Sequence, residues 1–284
     1  MKNKAIIITV VVLVLVAISS LIFIVVNSGE DNNTNIENNA VVENKVEEEK
    51  IEEKKDNGDN VAIDSKRGIE ILKNLDFVSK LYSNKYYDEL DSYGVSNNAK
   101  IIAAFIKIVS EEQYSSYIKQ NEEEMYFSKF DLENVVKDTF SDTTQIIHTP
   151  VLGTDSYVAE EGNYIISSIG FSNLDYAIEI PYKITEYDTY VEVTSYRVYA
   201  NTTVNSDNEL EMKVTDTLYY DRAMLEEATC FENGELSNNE YNQVSFIREK
   251  INSKEIDVTK LVSVKYTLNK VEDKLLISDY KKGI

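Results

Sequence analysis

The chain has 284 residues, and its 50 acidic against 29 basic side chains give a formal net charge of −21. This anionic character disfavours nonspecific binding to nucleic acid or to anionic lipid headgroups, and it suits cationic partners. The single cysteine, Cys230, excludes an internal disulfide, so the core alone must stabilise the fold. We expect this thiol to be buried as a small apolar side chain and not to act as a nucleophile.

The N-terminus contains a long apolar run at residues 5–26, without a charge, proline or glycine. As a helix it would be about 33 Å long, which matches the hydrocarbon thickness of a bilayer. The apolar region of a signal peptide is shorter and ends at a small-x-small cleavage site, which this run lacks. The sequence therefore predicts a signal anchor in the lipid bilayer, with cleavage near Ser28-Gly29 as the alternative.

The charges that flank the apolar run predict its orientation. Lys2 and Lys4 precede it, whereas Glu30 and Asp31 follow it. Because basic residues are retained on the cytoplasmic side, the N-terminus is predicted to be cytoplasmic and the rest of the chain extracellular. Residues 1–26 are thus predicted to be a cytoplasmic stub and the transmembrane segment of a single-pass cell-membrane protein.

The next segment, residues 27–64, is rich in Asn, Glu, Lys and Asp and contains no aromatic residue. Such a segment cannot offset its ordering entropy by burial, so it is predicted to be an acidic flexible linker. Residues 65–284 are long enough to bury a sizeable core and form the predicted extracellular domain. Within this domain, residues 65–149 are predicted to be mainly helical and residues 150–284 mainly strand.

Four helices are predicted in the first part of the domain. Apolar residues three to four positions apart predict a helix over 66–83. Ser96 is placed to cap the second helix with its hydroxyl. A third helix is predicted over 111–124, and Ser128 starts the fourth, where Ser-Lys-Phe-Asp has the form of a capping box.

After Pro150 the hydrophobic period changes from helical spacing to alternation. Runs rich in Tyr, Val, Ile and Thr predict strands at 164–169, 176–187, 190–202, 210–220, 260–268 and 274–280. Short links at 188–189 and 205–208 make neighbouring strands antiparallel, and a short helix is predicted near 241–251. The fold class is therefore α+β, with N-terminal helices packed on a C-terminal antiparallel meander sheet.

This layout resembles a known group of proteins. An anchor and an acidic spacer are followed by the segments 82–88, 95–101, 130–140, 264–270 and 275–278. In this order they resemble a group of uncharacterised membrane-anchored or lipoprotein surface proteins of low-GC Gram-positive bacteria. The resemblance implies a surface location and helices followed by a sheet, and it implies no functional residues. The closing hairpin is also similar to the last strands of cystatin-like domains, including the nuclear-transport-factor-like group, in which helices pack on a curved antiparallel sheet.

Two short motifs suggest nucleophilic chemistry. Ser116 and Lys119 form an S-x-x-K and residues 206–208 an S-D-N, as in penicillin-binding proteins and serine β-lactamases. No K-T-G strand accompanies them, the S-D-N falls in a predicted exposed turn, and Ser116 falls on a Glu-rich surface helix. We therefore attribute the match to chance.

Histidine and carboxylates supply the other candidates for chemistry. His148 is the single histidine, which excludes the usual multi-histidine zinc sites, and it is predicted to be a solvated loop residue. Asp216 with Asp221, or Glu226 with Glu227, could act as an acid and a base. Because carboxylates are abundant in the domain, we interpret these pairs as parts of a solvated surface.

A short acidic run resembles the start of a calcium loop, with Asn205, Asp207 and Glu209 at alternate positions. Leu210 occupies the position where such a loop needs glycine, and the distal bidentate Glu is missing. The sequence therefore predicts neither a metal site nor a cofactor.

Twenty tyrosines and no tryptophan are the unusual feature of the composition. The cluster of Tyr82, Tyr86, Tyr87 and Tyr93 is a candidate surface for a peptide or sugar ligand. The alternative is packing in the core or at its boundary, which we favour because tyrosine is common at both places.

These observations favour a noncatalytic binding or interaction module at the cell surface, with a protein, peptide or cell-wall ligand and no nucleic acid. One alternative is an exported hydrolase that acts on cell-wall or extracellular substrates. Another is a sensory or assembly partner of a second membrane protein. The sequence identifies no catalytic, metal-binding or ligand-binding residue.

Overall fold

The computed structural model describes residues 58–79, 83–151, 156–166, 175–208, 211–237 and 242–283. The predicted anchor at 5–26 and most of the predicted linker lie outside these ranges. In the part of the chain that is described, no helix is both long and apolar enough to cross a bilayer. Asn57–Ile284 form one compact unit.

Five α-helices are present in the described ranges. They are α1 (Lys66–Leu72), α2 (Ser83–Tyr93), α3 (Asn97–Ser110), α4 (Lys129–Thr139) and α5 (Gln243–Asn252). The predicted starts of α3 and α4 are confirmed. Ser96 accepts a hydrogen bond from the N–H of Ala99 at 3.1 Å, and Ser128 forms a capping box with Asp131. The short helix predicted near 241–251 corresponds to α5.

Two predicted helices are wrong in extent, and in each an asparagine side chain is involved. Instead of one helix over 66–83, α1 ends early, and Asn74 in the following 3-10 helix donates to the carbonyls of Glu70 and Ile71. Instead of a helix over 111–124, a 3-10 helix is followed by a strand pair. The side chain of Asn121 accepts from two backbone N–H groups in the turn of that pair. Asparagine side chains thus compete with the helical hydrogen bonds.

Eleven strands lie in the described ranges. In chain order they are β1 (Asp59–Val61), β2 (Lys119–Gln120), β3 (Met125–Ser128), β4 (Tyr157–Val158), β5 (Asn163–Ile165), β6 (Asp175–Glu186), β7 (Tyr190–Asn208), β8 (Glu211–Tyr219), β9 (Glu227–Glu232), β10 (Val262–Val271) and β11 (Lys274–Lys282). β2, β3, β5 and β4, in that order, form a small sheet, and the other seven form the large sheet. All strand pairs in both sheets are antiparallel.

The large sheet is organised around β7, which is 19 residues long. One edge of β7 pairs with β6, whereas the other edge pairs first with β10 and then with β8. The predicted fold class is confirmed, since helices pack on an antiparallel meander of β6, β7, β8 and β9. The turn predicted at 205–208 is wrong, because β7 continues to Asn208 opposite Glu211. β9 was not predicted, and residues 59–61, at the end of the predicted linker, form β1 and pair with β6.

Each face of the large sheet contributes to a separate hydrophobic core. Alternate residues of a strand point to opposite faces, so Ala177 and Ile178 belong to different cores. The first core joins the sheet to α2, α3 and α4, with Phe105 of α3 fully buried in it. The second core includes Ile247 of α5. Burial on both faces explains why the strands are rich in Val, Ile and Tyr.

An ion pair that joins α1 to the sheet gives a prediction about pH. Arg67 Nη2 lies 2.6 Å from Glu186 Oε1, and Lys270 contacts the same oxygen at 2.9 Å. These contacts lower the pKa of Glu186 from its ordinary 4.5 to about 2, and the hydrogen bond from Arg67 has the largest effect. The stabilisation is therefore fully present above pH 4.5 and is lost as the pH falls towards 2.

We expect Arg67→Gln to raise the pKa of Glu186 by about one unit or more, measured by carboxyl ¹³C NMR titration. Lys274→Gln is the matched control, because it breaks a different ion pair, with Asp138 at 2.8 Å. The control should leave the pKa of Glu186 unchanged. An unchanged value in Arg67→Gln would contradict the assignment.

Candidate functional site

A cleft of about 440 Å³ opens between α2, the start of α3, Thr149 with Pro150, and Arg222. This volume is within the range of clefts that bind small molecules or short peptide segments. The floor is apolar, because Ile101 and Ile102 of α3 are buried beneath it. The rim, in contrast, carries charged and polar side chains. A concave surface with an apolar floor and a polar rim is the usual form of a ligand site.

Tyr93 forms one wall of the cleft and is 74% exposed. It is the last residue of α2, and Gly94 follows with φ of 63°. This left-handed conformation is favourable for glycine and ends the helix, while the N–H of Gly94 still donates to the carbonyl of Leu90 at 2.8 Å. Because no further helical turn follows, the Tyr93 ring remains open to solvent.

A second wall carries the charged groups of the cleft. Arg222 donates from Nε to Oδ1 of Asp88 at 3.2 Å and from Nη2 to Oδ2 at 3.4 Å. Both side chains are about half exposed. Exposed pairs contribute roughly 0–1 kcal/mol, so a ligand can replace either partner at low cost. Glu89, one position further along α2, accepts from the hydroxyl of Ser96 at 2.5 Å.

The remaining wall is the chain segment before Pro150, which is fixed along the start of α3. The Asn97 side chain donates to the carbonyl of Ile147 at 2.8 Å and accepts from its N–H at 3.0 Å. Asn98 accepts from the hydroxyl of Thr149 at 3.2 Å. Asn98 and Ser92 are both exposed in the cleft, so their polar side chains can reach a ligand there.

His148 lies in the same segment, but the prediction that it is a solvated loop residue is wrong. Its side chain is 11% exposed, and Nδ1 lies 3.0 Å from the hydroxyl of Tyr164. Nε2 lies 3.0 Å from Glu133 of α4, and the ring stacks on Tyr157. Because Tyr164 is fully buried and burial raises its pKa well above the ordinary value, its hydroxyl stays protonated. We interpret this series of contacts, from Glu133 through His148 to Tyr164, as a structural link between α4 and the small sheet.

The carboxylate pairs proposed from the sequence have structural contacts. Asp216 is fully buried, so the expectation of a solvated side chain is wrong for it. Asp221 accepts from the N–H groups of Leu225 and Glu226 in a turn. Glu226 also forms an ion pair with Lys260 at 2.6 Å. Different partners therefore hold these carboxylates.

Neither of the two motifs that suggested nucleophilic chemistry, S-x-x-K and S-D-N, lines the cleft. Ser116 is exposed on the 3-10 helix and Lys119 is exposed on β2, and no contact joins these two side chains. The S-D-N residues 206–208 lie in β7, not in a turn.

The prediction of a buried Cys230 is wrong. Cys230 is exposed on β9, and because side chains alternate along a strand, its neighbour Phe231 lies in the core instead.

The tyrosine cluster divides into core and surface residues. Tyr86 and Tyr87 are buried in the first core, as the packing alternative predicted, whereas Tyr93 is exposed in the cleft. Tyr82 lies outside the described residues. No group of three or more His, Cys, Asp or Glu side chains that could hold a metal ion is present in the described ranges.

Comparison of the chain with known protein families, curated proteins and solved structures found no match. The cleft itself is therefore the feature from which a function can be inferred. Tyr93 was a candidate from the sequence, but Asp88 and Arg222 were not, because 134 positions separate them. A local signal that could have distinguished Tyr93 from the other tyrosines is the glycine that follows it, because glycine can end a helix and leave the ring exposed.

Proposed function

We propose that the chain is a membrane-anchored extracellular domain that binds a protein or peptide ligand without catalysis, in the cleft beside Tyr93. The observation that carries this proposal is a tyrosine ring, 74% exposed, at the wall of a concave surface. Large aromatic side chains in such positions are frequent anchors of binding interfaces, because they bury much area with few rotatable bonds.

The side chains of the cleft favour binding over catalysis. Nucleophilic catalysis needs a nucleophile within hydrogen-bonding reach of a base that a third group orients. Among the lining residues that the structure describes, Ser92 has no such base, and the carboxylates of Asp88 and Glu89 contact Arg222 and Ser96. These groups supply hydrogen bonds and charge for recognition.

The proposed location is supported by the apolar run at 5–26 and by the acidic segment that follows it. A linker of the predicted length has a root-mean-square span of roughly 35 Å. The domain would therefore lie close to the outer face of the cell membrane. External protease added to intact cells should therefore remove the domain together with a known surface protein. Survival of the domain under those conditions would contradict the location.

Replacing Tyr93 by alanine is expected to weaken ligand binding at least about tenfold. An aromatic anchor of an interface typically contributes at least roughly 1.4 kcal/mol to the binding free energy, which corresponds to this factor. Peptides selected from a random display library against the full-length chain would serve as ligands, with Kd measured by fluorescence anisotropy. The midpoint of unfolding should not change, because the ring is exposed.

Phe130→Ala is the matched control for Tyr93→Ala. Phe130 is also an exposed aromatic residue, at 64%, and it lies on α4 outside the cleft. This control should bind the selected peptides as the unaltered chain does. Equal losses in both variants, or selected peptides that bind Tyr93→Ala with unchanged Kd, would contradict the proposed site.

A further inference from the structure

Three side chains of α2 make the cleft suitable for a cation. Glu89 and Tyr93 are four positions apart and therefore lie on the same side of the helix. Asp88, next to Glu89, also lines the cleft. Carboxylates and an aromatic ring that line the same cleft can bind an ammonium or guanidinium group by charge and by cation–π attraction. The apolar floor can cover the aliphatic stem of the same side chain.

Arg222 shows that a guanidinium group fits against Asp88. Its two contacts, at 3.2 and 3.4 Å, are longer than the roughly 2.7–2.9 Å of strong charge-assisted hydrogen bonds. Other ion pairs of the domain are closer, such as Lys282 with Asp91 at 2.6 Å. The contact between Arg222 and Asp88 is thus a loose, half-exposed pair whose cationic member can be exchanged.

The charge of the whole chain favours a cationic partner as well. The formal net charge is −21, and a field of this sign raises the local concentration of cations and speeds their association. A cleft of about 440 Å³ has space for one long side chain and its immediate neighbours, not for a folded domain. An exposed basic residue in a peptide or loop is the occupant that fits both observations.

We infer that the cleft receives a lysine or arginine side chain of a peptide or protein partner. The stem of this side chain lies over Ile101 and Ile102 beside Tyr93, and its charged end replaces Arg222 at Asp88. This inference rests on the proposed function and adds the chemistry of the ligand. It requires opposite effects from the two members of one ion pair: loss of Asp88 weakens binding, whereas loss of Arg222 strengthens it.

The experiment uses the full-length chain and two blocked peptides, tetralysine and its fully Nε-acetylated form, which has the same length but no positive charge. Calorimetric Kd values would be measured for both. We expect tetralysine to bind at least about tenfold more tightly than the acetylated peptide. Asp88→Asn should weaken tetralysine binding about tenfold, and Arg222→Gln should strengthen it about threefold.

Matched controls separate the cleft from the general negative charge. Asp138→Asn and Lys274→Gln make the same charge changes in an exposed pair elsewhere, and each should change Kd by less than about twofold. Equal effects of Asp138→Asn and Asp88→Asn, or weaker binding in Arg222→Gln, would overturn the inference. So would an absence of tetralysine binding.

The outcomes also distinguish this inference from the proposed function. If both blocked peptides bind equally and Tyr93→Ala weakens both, the cleft is a peptide site and the inference of a cationic ligand is wrong. If display-selected peptides bind independently of Tyr93, the proposed function itself is wrong.

Discussion

Replacing Arg197 by methionine is expected to lower the free energy of unfolding by roughly 3–5 kcal/mol, the usual cost of removing one partner from a buried ion pair. Arg197 lies in β7 and is fully buried. Its guanidinium donates to Glu179 of β6 at 2.9 Å, to Asp91 of α2 at 3.0 Å and to the hydroxyl of Tyr280 at 2.8 Å. The Arg197 side chain therefore connects β7 to two other strands, β6 and β11, and to the helix α2.

The cost arises from the carboxylates that would lose their cation. Burial raises the pKa of Glu179 even with Arg197 in place, because Arg197 opposes this effect only in part. Burial also acts to raise the pKa of Asp91, but Arg197, Lys282 and Tyr280 together hold it below the ordinary value. Without Arg197, a charged Glu179 would remain in the core, and among the described residues the Tyr266 hydroxyl, at 3.3 Å, is the one donor left to it.

The pH dependence of this loss follows from the same groups. A carboxyl whose folded pKa lies above its unfolded pKa destabilises the protein at high pH, and this cost is relieved as the pH falls and the group binds a proton. The difference between Arg197→Met and the unaltered chain should therefore become smaller as the pH is lowered and Glu179 binds a proton, and pH 7 is compared with pH 5. Urea unfolding at the two pH values measures this change.

Two further variants test the explanation. Adding Glu179→Gln to Arg197→Met removes the unpaired charge and should recover part of the lost stability. Arg222→Gln breaks the exposed pair with Asp88 and should cost less than about 1 kcal/mol. A loss below about 1 kcal/mol in Arg197→Met itself would show that the buried network does not stabilise the fold.

The contrast between Ser96 and Arg197 shows which parts of the fold the sequence could predict. Capping by Ser96 and by Ser128 depends on residues three positions away, so the local sequence contains the whole signal. Strand alternation is equally local. Arg197, in contrast, contacts Asp91, which is 106 positions away, and nothing near Arg197 distinguishes it from an exposed arginine in an alternating strand.

The same reason explains what was missed at the candidate site and elsewhere. Tyr93 could be identified because the composition made tyrosine conspicuous, but the Asp88–Arg222 pair forms only when β8 ends beside α2. His148 was expected in solvent because its contacts with Glu133 and Tyr164 require the small sheet to be assembled. β1 was assigned to the linker because three residues carry too little periodicity to identify a strand.

Replacing Asp216 by alanine is expected to lower the free energy of unfolding by roughly 2–4 kcal/mol, since it leaves several buried donors unpaired. The fully buried carboxylate of Asp216 accepts from the Thr202 hydroxyl at 2.7 Å through one oxygen. The other oxygen accepts from the N–H groups of Leu236 at 3.1 Å and Ser237 at 2.9 Å. It thereby fixes the turn after β9 and the position of Leu236, which is fully buried in the second core.

Asp216→Asn provides the matched comparison because it keeps the shape of the side chain. Its carbonyl can still accept from both N–H groups, and its amide can donate to the Thr202 oxygen. We therefore expect Asp216→Asn to cost about 1 kcal/mol, less than Asp216→Ala. Asp221→Ala removes a carboxylate from an exposed turn and should cost less than about 1 kcal/mol.

Amide hydrogen exchange can assign the loss of stability to this turn. In Asp216→Ala the amides of Leu236 and Ser237 should exchange much faster than in the unaltered chain, because their acceptor is gone, whereas those of α3 should change only as far as global stability does. In Asp216→Asn both amides should remain protected. If Asp216→Ala leaves their exchange unchanged, Asp216 does not hold the turn, and its burial needs another explanation. If instead exchange accelerates at these two amides while Ile247 keeps its protection, the carboxylate stabilises the turn locally and the second core forms without it.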